Sequence, residues 1–473
     1  MLPDEKNGNK HCKRFRKLKK RRLKKGCWYI IIPFLAMAAI ALFYLFTYLI
    51  NEAGNACTKN VPAPPAKTIK KTPEEPKPTA QQIAFDNKLK EEINRFLHSP
   101  LRLDTGEIAV SVFNLSTNRA VFSYRDSMRL PPASCLKIAT AVAALETLGM
   151  DSRLYSSLQI RGNMRGDTLV GNLLLRADAD PLLESFDTLT TQLRQHGICH
   201  IRGNIYLNIA KEDTLVPHPT CKYWDIPYHK VPILLKGRKR IMKDLIASLH
   251  AKGISFESDG KVNPQKPNYK IVARSSHLLR DVITPMIIHS SNIKADALMH
   301  HLDWKTGRIT DGCTHFDIKH YTEVWMEKTF GRKKMAAIEP DSTRALDSFI
   351  INDGSGLSPD NRLSACFLVD ILKRVYKNVP MRNYFMNEAL ASPGIPERMG
   401  SLKTRLAQPQ YRNRLFCKTG TMVTVGTSAL AGFIHAYNGQ WYVFSIINTN
   451  SPVAESRIFQ DKICKIIIGK SNH

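Results

Sequence analysis

The chain has 473 residues, 43% hydrophobic and 23% charged, an ordinary globular content with length for two to three domains. Its formal net charge is +28, and residues 1–26 alone carry +10, with 12 Lys/Arg against Asp4 and Glu5. The remaining +18 suits an anionic membrane or cell-wall surface; no zinc-ligand spacing, recognition-helix pattern or aromatic–basic strand accompanies it, which argues against nucleic acid as the partner.

Residues 27–50 are apolar apart from Thr47 and uncharged throughout. As a helix rising about 1.5 Å per residue this run reaches roughly 36 Å, enough to cross a bilayer. The basic tail in front of it keeps the N-terminus cytoplasmic and sends the rest of the chain to the periplasm or cell exterior. No small-x-small cleavage site follows, so we expect a retained single-pass anchor, with a cleaved signal as the alternative. Residues 51–81, rich in Pro, Lys, Thr and Ala, form a flexible linker.

The body then reads in order. Residues 82–97 have helical spacing, 108–115 and 120–124 alternate like strands, and an apolar helix runs to Gly149. From 151 to 275 the texture changes to short strand-like runs (157–161, 168–169, 172–175, 200–208, 269–272) around one helical stretch, 182–196, which reads as an inserted, mostly-β domain. From 278 the pattern is helical through His289-Ser290-Ser291-Asn292 into a helix over 295–304. Ser364 is placed to cap a helix reaching about 374. Strands are expected at 415–418, 428–437 and 441–448, and a final amphipathic helix at 456–468. The expected domains are 82–150 with 276–473, interrupted by 151–275. Of ten cysteines, eight follow the span. Cys199–Cys221 is the one disulfide considered, and Cys135 and Cys417 are expected to be free.

Three short motifs occur in order. Ser134-Cys135-Leu136-Lys137 puts a serine at the start of a helix and a lysine one turn on, on the same face. Ser290-Ser291-Asn292 is second, and Lys418-Thr419-Gly420-Thr421, on an expected strand, is third. A serine hydroxyl needs a base to become a nucleophile. Lys137 serves only if its amine is neutral part of the time, which burial and a nearby cation, Lys418, would promote. Ser290 can relay a proton, and the Asn292 amide can bond both Lys137 and a substrate backbone. Lys418, Thr419 and Thr421 suit a free terminal carboxylate, and Gly420 allows the strand close to the substrate. Taken alone, each motif also fits a plain helix cap or a solvated strand residue.

This ordered set is that of β-lactamases and penicillin-binding proteins. With Asp353-Gly354-Ser355-Gly356-Leu357 and Ala431-Gly432-Phe433, the chain resembles the class C low-molecular-mass penicillin-binding proteins, the D-alanyl-D-alanine carboxypeptidase/endopeptidase group, over roughly residues 83–467. The resemblance implies an α/β (α+β) fold, a DD-peptidase-like antiparallel sheet flanked by helices. It implies cleavage of peptidoglycan stem peptides through an acyl-enzyme on Ser134, with β-lactams as covalent inhibitors and no cofactor or metal. It implies an oxyanion hole from the backbone N–H groups of Ser134 and Thr421. Asp180-Pro181 is similar to a family motif that approaches substrate, although Ala177-Asp178-Ala179 replaces a glycine-rich run; a simple turn is the other reading of Asp180. Pro359 departs from the basic residue that family members carry after the Ser358 position. A β-lactamase of the same fold and a non-catalytic cell-wall-binding protein are the rivals: no dedicated deacylating base is evident for the first, and the intact motif residues argue against the second.

Overall fold

The computed structural model describes residues 78–99, 106–221, 228–258, 268–308, 319–335 and 349–470. The expected basic tail, the span at 27–50 and nearly all of the linker lie outside the described residues. Among the described residues no helix is long and apolar enough to cross a membrane.

Helix α1 (Ala80–Leu97) starts two residues earlier than its apolar spacing suggests, because Thr79 and Gln82 form a reciprocal capping box. Strands β1 (Glu107–Asn114), β2 (Arg119–Tyr124) and the short β3 (Arg129–Leu130) follow, then α2 (Leu136–Leu148). The next segment is a long hairpin, β4 (Arg153–Arg165) and β5 (Thr168–Ala177), then α3 (Asp187–Gln195), β6 (His200–Arg202), β7 (Ile205–Ile209), α4 (Arg238–Ala251), β8 (Ser255–Glu257) and β9 (Lys270–Leu278). The chain continues through α5 (Leu279–Ile288), α6 (Asn292–Lys305), α7 (Tyr321–Met335), β10 (Leu363–Ser364) and α8 (Ala365–Lys377), which Ser364 caps. It ends in β11 (Leu415–Met422), β12 (Thr427–His435), β13 (Trp441–Thr449) and α9 (Val453–Ile468).

The main sheet is antiparallel with order β11-β12-β13-β1-β2, so β11 is an edge. Both faces are covered, and the two-residue period of a strand sends alternate side chains to different cores. Ile108, Val110 and Val112 pack with α1 and α9 through Leu89, Ile93, Phe459 and Ile463. Ala109, Ala431, Phe433 and Val443 face the opposite way, onto α2 and α8. Burial on both faces explains why β12 and β13 read as nearly continuous apolar runs rather than as alternation.

The second sheet has order β8-β6-β5-β4-β9, with β7 also on β5; β6 and β7 pair β5 in parallel. It is less purely β than its sequence suggests. Helix α4 packs Ile241, Leu245 and Leu249, spaced one turn apart, into the same core as α3. The expected strand over 200–208 divides at Gly203, whose φ is +156°. A smaller apolar cluster of Ala179, Ala210, Leu215, Val231 and Leu235 closes on Ala297 of α6. Cys199 and Cys221 are both free thiols, which corrects the pairing considered above. The Cys199 thiol sits against Arg194, while Cys221 lies in a turn closed by His218 O.

Candidate active site

Pro131 and Pro132 deliver the chain into a single 3-10 turn, Ala133–Cys135, immediately before α2. Ala133 has φ +44°, a left-handed conformation that costs a non-glycine residue about 1–2 kcal/mol. The surroundings hold it there. The Cys135 thiol donates to Lys418 O at 3.2 Å, tying the turn to β11. Burial pushes that thiol's pKa up to about 12, so it remains a protonated donor. Gly356 (φ +80°) leaves room for Ala133 O, which a Cβ there would approach to 1.9 Å. A Cβ on Gly420 would lie 2.9 Å from Pro132 O and 3.0 Å from Ser134 N. Gly420 thus permits the close approach of β11 to the serine's own turn.

Lys137, one turn into the helix, is fully buried. Its Nζ donates to Ser134 Oγ (2.9 Å), Asn292 Oδ1 (2.8 Å) and Ser355 O (2.6 Å). Burial first, and the Lys418 charge second, bring its pKa down to about 7; the buried carboxylates of Asp296 and Asp353 oppose them. An amine balanced near neutrality can accept a proton from a hydroxyl it already touches.

The Ser355 carbonyl is aimed by a tight loop built on Asp353. Asp353 Oδ1 accepts from the N–H groups of Ser355 (2.8 Å), Gly356 and Leu357 (3.2 Å) and from Ser355 Oγ (3.0 Å). Its Oδ2 accepts from Ser358 N–H (2.6 Å) and Asn361 Nδ2 (3.1 Å). Asp296 on α6 accepts from Gly354 N–H (3.0 Å), and burial, with Asp353 nearby, raises its pKa to about 8.

The helical stretch expected through His289 breaks there. Ser290 has φ +57°, and Ser291 caps α6 by accepting from Lys294 N–H. Asn292 thereby becomes the first residue of α6 and reaches Lys137. The half-buried Ser290 hydroxyl makes no hydrogen bond among the described residues.

Lys418 is 1% exposed and donates to Thr419 O (2.8 Å); burial brings its pKa down to about 8. Thr419 Oγ1 is bonded to Ser401 Oγ, and Thr421 Oγ1 accepts from Arg457 Nη2 (3.0 Å). Cys417 N–H points out of the sheet to Ala391 O (2.9 Å), and the strand period gives the N–H groups of Thr419 and Thr421 the same outward direction. Asp180 makes its hydrogen bonds elsewhere. It is 1% exposed, with Oδ1 accepting from Leu182 N–H (2.9 Å) and Oδ2 paired with His277 Nδ1 (2.7 Å). Each oxygen thus has a partner within the protein, an arrangement that fits the turn reading of Asp180. The motifs alone did not reveal Asp296, the Ser355 carbonyl, Ser401 or Arg457. Among the described residues no group of three or more His, Cys, Asp or Glu is placed to hold a metal.

Comparison with known proteins gives three findings. The description of the D-Ala-D-Ala carboxypeptidase 3 (S13) family matches residues 89–224 and 235–467. A D-alanyl-D-alanine carboxypeptidase of Actinomadura sp. is 23% identical over 466 residues, covering 81% of this chain and 85% of the relative. The fold is similar to that of penicillin binding protein 4 from Haemophilus influenzae, with a TM-score of 0.60 at 18% identity, covering 79% of this chain and 99% of that one. A structure of that same protein complexed with a β-lactam gives a TM-score of 0.59.

Proposed function

The chain belongs to the D-Ala-D-Ala carboxypeptidase 3 (S13) family and is a serine-type D-alanyl-D-alanine peptidase, and from that premise we propose how its residues divide the work. Ser134 is the nucleophile and Lys137 its base. Neutral Lys137 takes the Ser134 proton as Oγ attacks the carbonyl of the penultimate D-alanine in a peptidoglycan stem peptide. The N–H groups of Ser134 and Thr421 stabilise the oxyanion. Ser290 passes the proton from Lys137 to the departing amine, which leaves as D-alanine. Water then attacks the Ser134 ester, with Lys137 again as base, and restores the hydroxyl. Asn292 holds Lys137 and the substrate backbone, and the Lys418 charge keeps the Lys137 amine from being permanently protonated.

The observation that carries this reading is the buried Lys137 amine, 2.9 Å from Ser134 Oγ and within 2.8 Å of Asn292 Oδ1. A structural lysine would be solvated or paired with a carboxylate; this one has three uncharged oxygen partners. The same residues serve endopeptidase cleavage of D-alanyl cross-links, and β-lactams acylate Ser134 through their strained amide. We further propose that the catalytic body lies in the periplasm or cell exterior, anchored in the cytoplasmic membrane by residues 27–50. The uncharged run behind a tail of +10 supports this.

The test is release of free D-alanine from a stem pentapeptide by the full chain, beside Ser134→Ala. Release by the wild type and none by the variant is the expected result. Equal release by both, or none by the wild type, would reject the assignment.

A further inference from the structure

We propose that Thr220, on the segment that joins β7 to α4, is a positioning residue for Lys137, acting through Ser358 and the Asp353 loop. The assignment rests on the peptidase reading above. It extends the machinery to a part of the chain that carries none of the three motifs.

The segment is brought to the site by its own packing. Leu215 N–H donates to Leu235 O (2.8 Å) and Thr214 Oγ1 to Lys236 O (2.9 Å), folding residues 214–215 back on the chain that leads into α4. Leu215 and Leu235 then pack with Ala297 of α6, the helix that carries Asn292 and Asp296. Five residues on from Leu215, Thr220 Oγ1 lies 2.5 Å from Ser358 Oγ, 138 positions away in sequence. Burial first, and then the Asp353 and Asp296 charges, push the neighbouring Cys221 thiol up to about 12, so the segment stands within the field of both carboxylates.

The direction of the Thr220–Ser358 bond is fixed by its surroundings. Ser358 is 0% exposed. Its Oγ accepts from Asn352 Nδ2 (3.1 Å) and from Asp360 N–H (3.2 Å), which occupies both lone pairs of the hydroxyl. Among the described residues its own proton has one acceptor, Thr220 Oγ1, so Ser358 donates and Thr220 accepts. Thr220 Oγ1 in turn donates to His218 Nδ1 (2.7 Å). That nitrogen also accepts Thr220 N–H (3.3 Å) and is therefore the unprotonated one of the ring.

Ser358 also bears directly on the Asp353 loop. Its N–H donates to Asp353 Oδ2 (2.6 Å), while Asp353 Oδ1 accepts from Ser355 N–H (2.8 Å), and Ser355 O accepts from Lys137 Nζ (2.6 Å). A buried hydroxyl left without an acceptor turns or shifts to find one, because an unmet buried donor is costly. A shift of Ser358 moves an N–H that Asp353 holds, and Asp353 passes the movement to the carbonyl that aims the Lys137 amine at Ser134. Small misplacements of a reacting group cost rate more than binding.

The experiment measures penicillin acylation of the full chain, separating the dissociation constant of the first complex from the rate constant of the acylation step. The variants are Thr220→Val, which removes the hydroxyl at nearly constant volume, Thr220→Ala, Thr220→Ser, which keeps it, Ser358→Ala, and Thr220→Val combined with Ser358→Ala. Each is checked for its melting temperature, and rates are taken per folded molecule. Expected is a fall of about 10-fold in the acylation rate constant for Thr220→Val and Thr220→Ala, with the dissociation constant within about twofold. Thr220→Ser should recover the rate, and adding Thr220→Val to Ser358→Ala should cause no further fall, since both act through one contact. Unchanged acylation in Thr220→Val and Thr220→Ala, a loss confined to the dissociation constant or the melting temperature, no recovery in Thr220→Ser, or losses that multiply in the double variant would overturn the assignment while leaving the peptidase reading intact. A wild type that takes no penicillin overturns both.

Discussion

The Lys137 amine and the Ser134 hydroxyl lie 2.9 Å apart with no water-exposed surface on the lysine. Burial first, and the Lys418 charge second, lower the proton affinity of that amine. Acylation by penicillin should therefore rise as pH passes through about 7, the region to which Lys137 is brought. Asp296 is itself mostly protonated in that region, so Asp296→Asn should leave this acid limb nearly in place. Lys418→Met removes a positive charge and should move it to higher pH, besides slowing the reaction. Acylation rates measured across pH 5 to 9 (roughly the window in which such an amine titrates) check both expectations. A limb that moves to lower pH in Lys418→Met would contradict the assignment of Lys137 as base.

Asp296 has a second consequence, for stability. Its folded pKa is raised to about 8, while an unfolded aspartate titrates near ~4. Between those values the native chain binds the proton that the unfolded chain has lost. Stability from this group is complete below ~4 and is lost as pH rises through about 8. Asp296→Asn should flatten the fall in melting temperature over that range, as read by thermal unfolding at a series of pH values. An unchanged slope would show that Asp296 is ionised in the folded protein.

The loop that aims the Ser355 carbonyl depends on the two oxygens of Asp353. Asp353→Asn turns one of these acceptors into a donor facing donors, at the cost of several buried hydrogen bonds. We expect a loss of at least about 3 kcal/mol in unfolding free energy and slower penicillin acylation. Denaturant titration beside acylation kinetics checks this. A variant as stable as the wild type would contradict the role given to Asp353.

Gly420→Ala should be as damaging as its single methyl allows. The added carbon meets Pro132 O and Ser134 N at 3.0 Å or less, both backbone atoms. Overpacking of this kind costs about 1–3 kcal/mol and here displaces the nucleophile's turn. A melting-temperature drop with a larger loss of acylation is expected; normal acylation would mean the turn can move without consequence.

Local spacing made the centre of this site legible. Ser134 and Lys137 are one turn apart, Asn292 follows a capping serine, and Lys418 to Thr421 lie on one strand. Each is a short-range relation that a sequence displays. The parts that escaped depend on contacts between distant segments. Asp296 matters because Gly354 and Lys137 come to it from other segments of the chain. The partner of Asp180, His277, is 97 residues away in sequence, beyond any local spacing. Helix α4 was missed although Ile241, Leu245 and Leu249 keep its period: it opens with Arg238-Lys239-Arg240, unfavourable at a helix N-terminus, after an uncapped Gly237. The break at Ser290 depends on a positive φ that a serine seldom adopts.

The most direct measurement is intact-mass and peptide mapping of the full chain after brief exposure to benzylpenicillin. A single adduct with the mass of the opened β-lactam, located on Ser134 and absent from Ser134→Ala, is the expected result. It should form with Cys135 unmodified, since that thiol is buried and held protonated. An adduct elsewhere, or one that persists in Ser134→Ala, would contradict Ser134 as the nucleophile.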